Sequence, residues 1–228
     1  TTYMGLELNS PIVVSACTLS EKPDNILQME DYGAGAVVMP SLFEEQIRKE
    51  EAVLNSVLNE TTHAFAEAMD YFPGLDEYNI GIHEYLENIS NVKKRVKIPI
   101  IASLNGITNE GWVDYARQMQ QAGADAIEIN IFFIPGDLDM STAEVEHRYL
   151  NIIEAIKSNV KIPVAVKLNP YFSSTGNMAM RMKNSGADAL VFAEPAGTGA
   201  GLQFYAVAGG YSAVETAPAL GLSLGMLG

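Results

Sequence analysis

The chain alternates short apolar runs with longer amphipathic stretches, and the alternation repeats. Residues 97–105 read KIPIIASLN and residues 161–169 read KIPVAVKLN, an offset of 64. QAGADAIEIN at 121–130 and NSGADALVFA at 184–193 form a second pair, offset by 63, and DYGAGAVVMP at 31–40 is a weaker early copy. A short apolar run bounded by Pro or Gly predicts a strand buried on both faces, as in a parallel sheet. The pattern predicts strands over 12–17, 36–41, 99–104, 126–132, 163–168 and 189–193. It predicts helices over 22–32, 82–95, 109–122, 142–159 and 175–185. Gly123 and Gly186 stand where a helix C-cap needs a left-handed residue, and Gly33 or Gly35 does so in the early copy. Thr108 precedes the helix at 109–122. Glu110 and Asp114 suit its positive end, and Trp112, Tyr115, Ala116 and Met119 recur at helical spacing. The opening TTYMGLELNS alternates around a Gly and predicts a short hairpin.

An offset of 64 covers two strand–helix units of about 32 residues each, the size of βαβ architecture. Such units build either a barrel or an open doubly wound sheet. No GxGxxG follows the first strand, so the dinucleotide fingerprint is absent, and the two-unit repeat favours a (β/α)8 barrel. Two segments break the rhythm. Residues 42–96 hold the acids Glu44, Glu45, Glu50 and Glu51 and a Tyr/Phe/Pro/Gly-rich stretch, and read as an inserted excursion. From 196 to 228 the only charged residue is Glu215, while eight residues are Gly. The division is therefore a barrel domain over 1–195 and an atypical Gly-rich tail over 196–228, with the barrel incomplete or irregular after its sixth strand. The expectation is either that the tail closes the barrel in an unusual way or that the chain is incomplete or altered at its end.

Composition narrows the class. The chain has 228 residues, 48% of them hydrophobic, with no apolar run long enough to cross a membrane as a helix. The single cysteine, Cys17, excludes an internal disulfide and a thiolate zinc cluster. A net charge of −14 opposes binding to nucleic acid and to anionic membranes. No basic-then-apolar leader opens the sequence, and the reading is a cytoplasmic protein with a small-molecule substrate.

In a barrel the chemistry lies at the C-terminal ends of the strands. Those positions are Ser15, Ala16 and Cys17 after the first strand, and Pro40 and Ser41 after the second. They are Ser103 and Asn105 at the third, Asn130 at the fourth, and Lys167 and Asn169 at the fifth. Ser103, Asn130 and Lys167 point toward one mouth. Each has a plainer reading. Lys167 pairs with Glu128 or another acid, Asn130 caps a strand, and Ser103 satisfies itself on local backbone. Cys17 reads as a small apolar residue. Asp137 and Asp139 read as loop caps. His63, His83 and His147 are scattered without metal spacing.

TTYMGLELNSPIVVSAC, AGADAIEIN and IPVAVKLNPYF resemble the dihydroorotate dehydrogenase family, in its soluble or dehydrogenase-like branch, over about residues 1–191. The resemblance implies an FMN-containing (β/α)8 barrel that oxidises dihydroorotate to orotate in pyrimidine biosynthesis, with a homodimer as one assembly. By resemblance Ser15 and Ala16 pack on the flavin, and Ser41, Ser103 and Lys167 also contact it. Asn130 touches both flavin and substrate. The family's Cys or Ser base after the fourth strand has Phe133 at its position, within Phe132, Phe133, Ile134, Pro135 and Gly136. A second family lysine is replaced by Pro40, and the Gly-rich phosphate loops have no counterpart in 196–228. Two other readings stay open: a Schiff-base aldolase or lyase using Lys167, and a non-catalytic barrel fragment.

Overall fold

A computed structural model describes residues 1–45, 47–49, 80–106, 108–131, 136–168 and 172–192. The opening hairpin forms as expected. Strands β1 (Thr2–Tyr3) and β2 (Leu6–Glu7) pair antiparallel through Met4 and Gly5, at φ 51° and 77°. Positive φ at both central residues gives a turn whose twist matches that of its strands.

The rest alternates. Strand β3 (Val13–Val14) leads through a 3₁₀ turn (Thr18–Glu21) into α1 (Pro23–Asp31). Then follow β4 (Ala36–Phe43), α2 (Ile80–Lys93), β5 (Ile100–Asn105), α3 (Asn109–Ala122), β6 (Ala126–Asn130), α4 (Thr142–Lys157), β7 (Val164–Leu168), α5 (Thr175–Asn184) and β8 (Ala189–Phe192). Strands β3 to β8 form one parallel sheet in sequence order. The result is a curled six-stranded half-barrel, the fold expected from the two-unit repeat.

Several boundaries differ from expectation, most by one or two residues. The first strand contracts from 12–17 to Val13–Val14, because the chain turns at Ser15 and Ala16 to start the 3₁₀ turn at Thr18. The second strand runs on to Phe43, so Ser41 lies within β4 rather than after it. A register shift between Val38 and Ser41 accompanies the extension, and Pro40, which has no N–H to donate, sits inside it. The segment read as an excursion over 42–96 contributes residues 42–43 to β4 and 80–93 to α2. Residues 46 and 50–79 of that segment, and the tail 196–228, lie outside the described residues.

The strands bury both faces, and alternation assigns each residue to one. Toward the helices point Val37, Met39, Ile100, Ala102, Leu104, Ile127, Ile129, Val164, Val166, Leu168 and Leu190. Trp112, Ala116 and Met119 of α3 pack on this side, as their spacing predicts. Toward the lumen point Ala36, Val38, Ile101, Ala126, Ala165, Ala189 and Val191, joined by Tyr3, Met4 and Leu8 of the hairpin segment. Small alanines on four strands leave the volume that those three side chains fill.

The repeated Gly-Ala-Asp element has a mechanical meaning. Gly123 (φ 101°) and Gly186 (φ 103°) close α3 and α5, and the next residues turn back to bond Met119 O and Met182 O. The aspartates then clamp the floor. Asp125 Oδ2 accepts the Ile100 N–H at 2.7 Å and the Lys93 ammonium at 2.7 Å. Asp188 Oδ2 accepts the Val164 N–H at 2.8 Å and the Lys157 ammonium at 2.7 Å. Each carboxylate thus ties a strand to its neighbour and to the preceding helix. In the early copy the same loop takes Gly33 (φ 91°), and Gly35 stands in the aspartate position with only its backbone bond to Ile12 O.

Asp125→Ala and Asp188→Ala should each destabilise the fold by about 1–3 kcal/mol, since each leaves a strand N–H without its charged acceptor. Denaturant unfolding checks this, and Asp→Asn, which keeps an acceptor oxygen, should cost less at both positions.

Candidate functional site

The lumen residues stand in tiers set by strand register. Ile101 pairs with Ala126 near the floor. One tier higher, Ser41 is level with Ser103, Ser103 with Glu128, Glu128 with Ala165, and Ala165 with Ala189. At the C-terminal rim Asn130 is level with Lys167, and Lys167 with Val191. The amide and the ammonium proposed from sequence are therefore register neighbours on adjacent strands, on one face.

Lys167 leans back toward the middle tier, where its Nζ lies 3.8 Å from Oε1 of Glu128. Glu128 is 2% exposed. Burial raises its carboxyl above the usual carboxylate range, and the charge of Lys167 opposes that rise. The plain reading of Lys167, a lysine paired with Glu128, and its rim position hold together. On the next strand the hydroxyls of Ser41 and Ser103 share a hydrogen bond at 2.8 Å, with Ser103 fully buried. Ser15 and Ala16 are half-buried, and Ala16 packs against the lumen cluster.

Other candidates fall elsewhere. The Cys17 N–H bonds Ser20 Oγ at 3.3 Å, in the cap of the 3₁₀ turn. Asp137 Oδ1 accepts the Asp139 N–H at 3.0 Å, the local turn expected of a loop cap. His83 and His147 are exposed on α2 and α4. Phe133, which the sequence resemblance sets at the family's base position, lies outside the described residues, as do His63 and Asn169.

Two supporting groups escape a reading of the sequence. Where β4 slips past β5, the Tyr85 hydroxyl of α2 accepts the Ser103 N–H at 3.0 Å and donates to Ser103 O at 3.3 Å. It supplies the partners that the shifted ladder withholds. At the end of β4, Glu44 is 2% exposed and accepts both the Thr108 N–H at 3.0 Å and the Thr108 hydroxyl at 2.6 Å. Thr108 Oγ1 in turn accepts the Gly111 N–H at 3.0 Å as the N-cap of α3. A Cβ on Gly111 would come within 2.4 Å of the Glu44 carboxylate. One member of the acidic cluster is thus a helix-cap anchor at the positive end of α3.

A curled parallel sheet with its polar groups at the C-terminal rim defines a (β/α)8-type enzyme scaffold. Solved structures agree on the fold. A dihydrodipicolinate synthase from Agrobacterium tumefaciens is 13% identical with a TM-score of 0.50, covering 81% of this chain and 55% of that one. A phosphonopyruvate hydrolase is 15% identical with a TM-score of 0.50, covering 81% and 58%. The dihydroorotate dehydrogenase family model matches residues 1–198, and the chain belongs to that family. Among curated relatives, the catalytic subunit of dihydroorotate dehydrogenase B (NAD(+)) from Thermoplasma volcanium is 29% identical over 198 residues, covering 84% of this chain and 60% of that one. Its counterpart from Methanocaldococcus jannaschii is 29% identical over 196 residues, with the same coverage. The chain spans about 60% of the length of these relatives. No helix among the described residues is long and apolar enough to cross a membrane.

Because folding raises the Glu128 carboxyl, the native state binds more protons there than the unfolded chain does. Its contribution to stability therefore falls as pH rises from the usual carboxylate range through the raised native value. Glu128→Gln cannot titrate, so wild-type stability should fall relative to this variant across that window. Denaturant unfolding followed from about pH 4 to about pH 9, upward from the usual carboxylate range, checks the sign.

Proposed function

We propose that this chain is an FMN-dependent oxidoreductase of the dihydroorotate dehydrogenase kind, holding the flavin at the C-terminal rim of its lumen. The observation that carries this reading is the level placement of Asn130 and Lys167 on the lumen face, in a member of that family. The donor set fits the group. An ammonium beside an amide matches a ring edge that is electron-rich and gains negative charge on reduction. Ser15 and Ala16 offer a half-buried turn on which a flat ring can rest, and the Ser41–Ser103 pair offers hydroxyls on the neighbouring strands. FMN, when bound, supplies the two-electron redox chemistry that amino-acid side chains lack.

The residues of the chain have separable tasks. Lys167 places positive charge at the rim, and Asn130 offers both a donor and an acceptor to ring and substrate. The Ser41–Ser103 bond fixes the orientation of both hydroxyls. Tyr85 holds the backbone beneath Ser103. Dihydroorotate oxidation also needs a proton acceptor, and Phe133 occupies the family's position for it. Loss of a general base costs about 10²–10⁴ in rate, so the chain oxidises dihydroorotate slowly. The substrate is a small molecule, and the site is that of a cytoplasmic enzyme of pyrimidine biosynthesis, with a homodimer as its assembly.

The test is to purify the full chain, supply FMN, and record the visible spectrum and affinity. The expected result is stoichiometric flavin bound to the protein, with Lys167→Met weakening binding by about tenfold, the worth of one charge-assisted contact. A protein that stays colourless after FMN is supplied overturns the reading. Reduction of the bound flavin by dihydroorotate, followed anaerobically, should be slow and should rise on the order of 10²-fold in Phe133→Cys. An aldolase would instead show a borohydride-trapped adduct on Lys167, which this reading says is absent.

A further inference from the structure

We infer that Glu128 is a positioning residue for the flavin site, fixing the Lys167 ammonium at the rim and setting how much of its charge the ring receives. The inference rests on the proposed function and extends it to a residue one tier below the contact layer. Its basis is geometric. Glu128 and Asn130 are two residues apart on β6, so both side chains face the lumen. Lys167 is level with Asn130, yet its Nζ reaches back to within 3.8 Å of Glu128 Oε1. The ammonium is thereby drawn toward a carboxylate one tier beneath the Asn130–Lys167 level.

Among the described residues, Lys167 is the charged group that acts on the carboxylate. Ser103 faces it from β5, Tyr3 from the hairpin and Tyr85 from α2, and burial pushes both phenols upward so that they stay neutral. Lys167 on β7 is the cation facing it. With Glu128 ionised, the pair sums to zero and a bound ring feels a dipole. With Glu128 protonated, or replaced by Gln, the ring feels a full positive charge. A reduced ring carries the added negative charge, so the second state eases its reduction. Gln keeps the size and an acceptor oxygen, so the lysine keeps its place.

The experiment compares wild type, Glu128→Gln, Lys167→Met and the double variant, each as the full chain loaded with FMN. Midpoint potentials are measured at pH 8.5. Glu128→Gln should shift the potential positive and Lys167→Met should shift it negative. In the Lys167→Met background burial acts on the carboxyl without the opposing ammonium, so it keeps its proton to higher pH and adding Glu128→Gln should shift the potential less than it does with Lys167 in place. Equal shifts by Glu128→Gln in both backgrounds, or none in either, overturn the inference. A residue with only a structural role would change melting temperature without this non-additive pattern. A second measurement needs no flavin. The Glu128 carboxyl, assigned in carbon-13 NMR by its loss in Glu128→Gln, should titrate at higher pH in Lys167→Met than in wild type. An unchanged titration refutes the coupling. Failure of every variant to bind flavin overturns the proposed function and the role at the ring with it, while the NMR result separately decides whether the two residues act as one unit.

Discussion

The geometry of the rim depends on two carboxylates at the opposite end of the sheet. Asp125 and Asp188 each hold the first N–H of a neighbouring strand and a lysine from the preceding helix. Those bonds set β6 against β5 and β8 against β7. A slip of one residue would turn every lumen side chain toward the helices. Ser103 would lose its place beside Glu128, and Lys167 its place beside Val191. The floor therefore specifies the mouth. Both aspartates are only about two-thirds buried, at 28% and 35% side-chain exposure, so their lysine bridges add little through charge alone. Their importance lies in the strand N–H groups, which have one geometry in which to be satisfied.

The lumen divides between packing and chemistry along the same axis. Ala36 and Ala126 toward the floor, and Ala165 and Ala189 in the tier of Glu128, leave room for Tyr3, Met4 and Leu8 of the hairpin segment. This apolar cluster reaches the tier of Glu128, and the polar rim with Asn130 and Lys167 lies above it. The order of residues on β6 shows the gradient within a single strand: Ala126 packs, Glu128 is buried and paired, and Asn130 is half-buried at the rim. Two-residue steps along a strand convert directly into depth in the barrel.

Local signals made much of this legible. Met4-Gly5 between alternating residues marks the hairpin, and Thr108 and Gly123 bracket α3. The spacing of Trp112, Ala116 and Met119 identifies its buried face. The parity of Ser103, Asn130 and Lys167 places them at one mouth. The AIEIN run carries the same parity for Glu128, which is enough to set it on the face of Asn130. What stayed hidden depends on contacts between distant segments. Nothing near Tyr85 states that its hydroxyl enters a break in a ladder 18 residues further on. Glu44 looks like one acid among four, and its bond to Thr108 spans 64 positions. The extension of β4 past Pro40 is of the same kind. A bulge absorbs the proline, and only the partner strand determines where pairing resumes.

The Lys167–Glu128 pair remains to be placed in the energetics. Burying two opposite charges is seldom the most stable choice, because lost hydration commonly matches or exceeds their attraction, and apolar residues of similar size would serve packing as well. Among the described residues, the register neighbours of the pair on the lumen face are neutral: Ser103 and Ala165 beside the carboxylate, Asn130 and Val191 beside the lysine. Stability alone therefore gives no reason for an ion pair at this level of the barrel. Position does. A lone ammonium on a long side chain would snorkel out of the rim toward water. A carboxylate one tier down and one strand across draws it inward instead. The arrangement yields a cation at a fixed place with part of its charge already balanced.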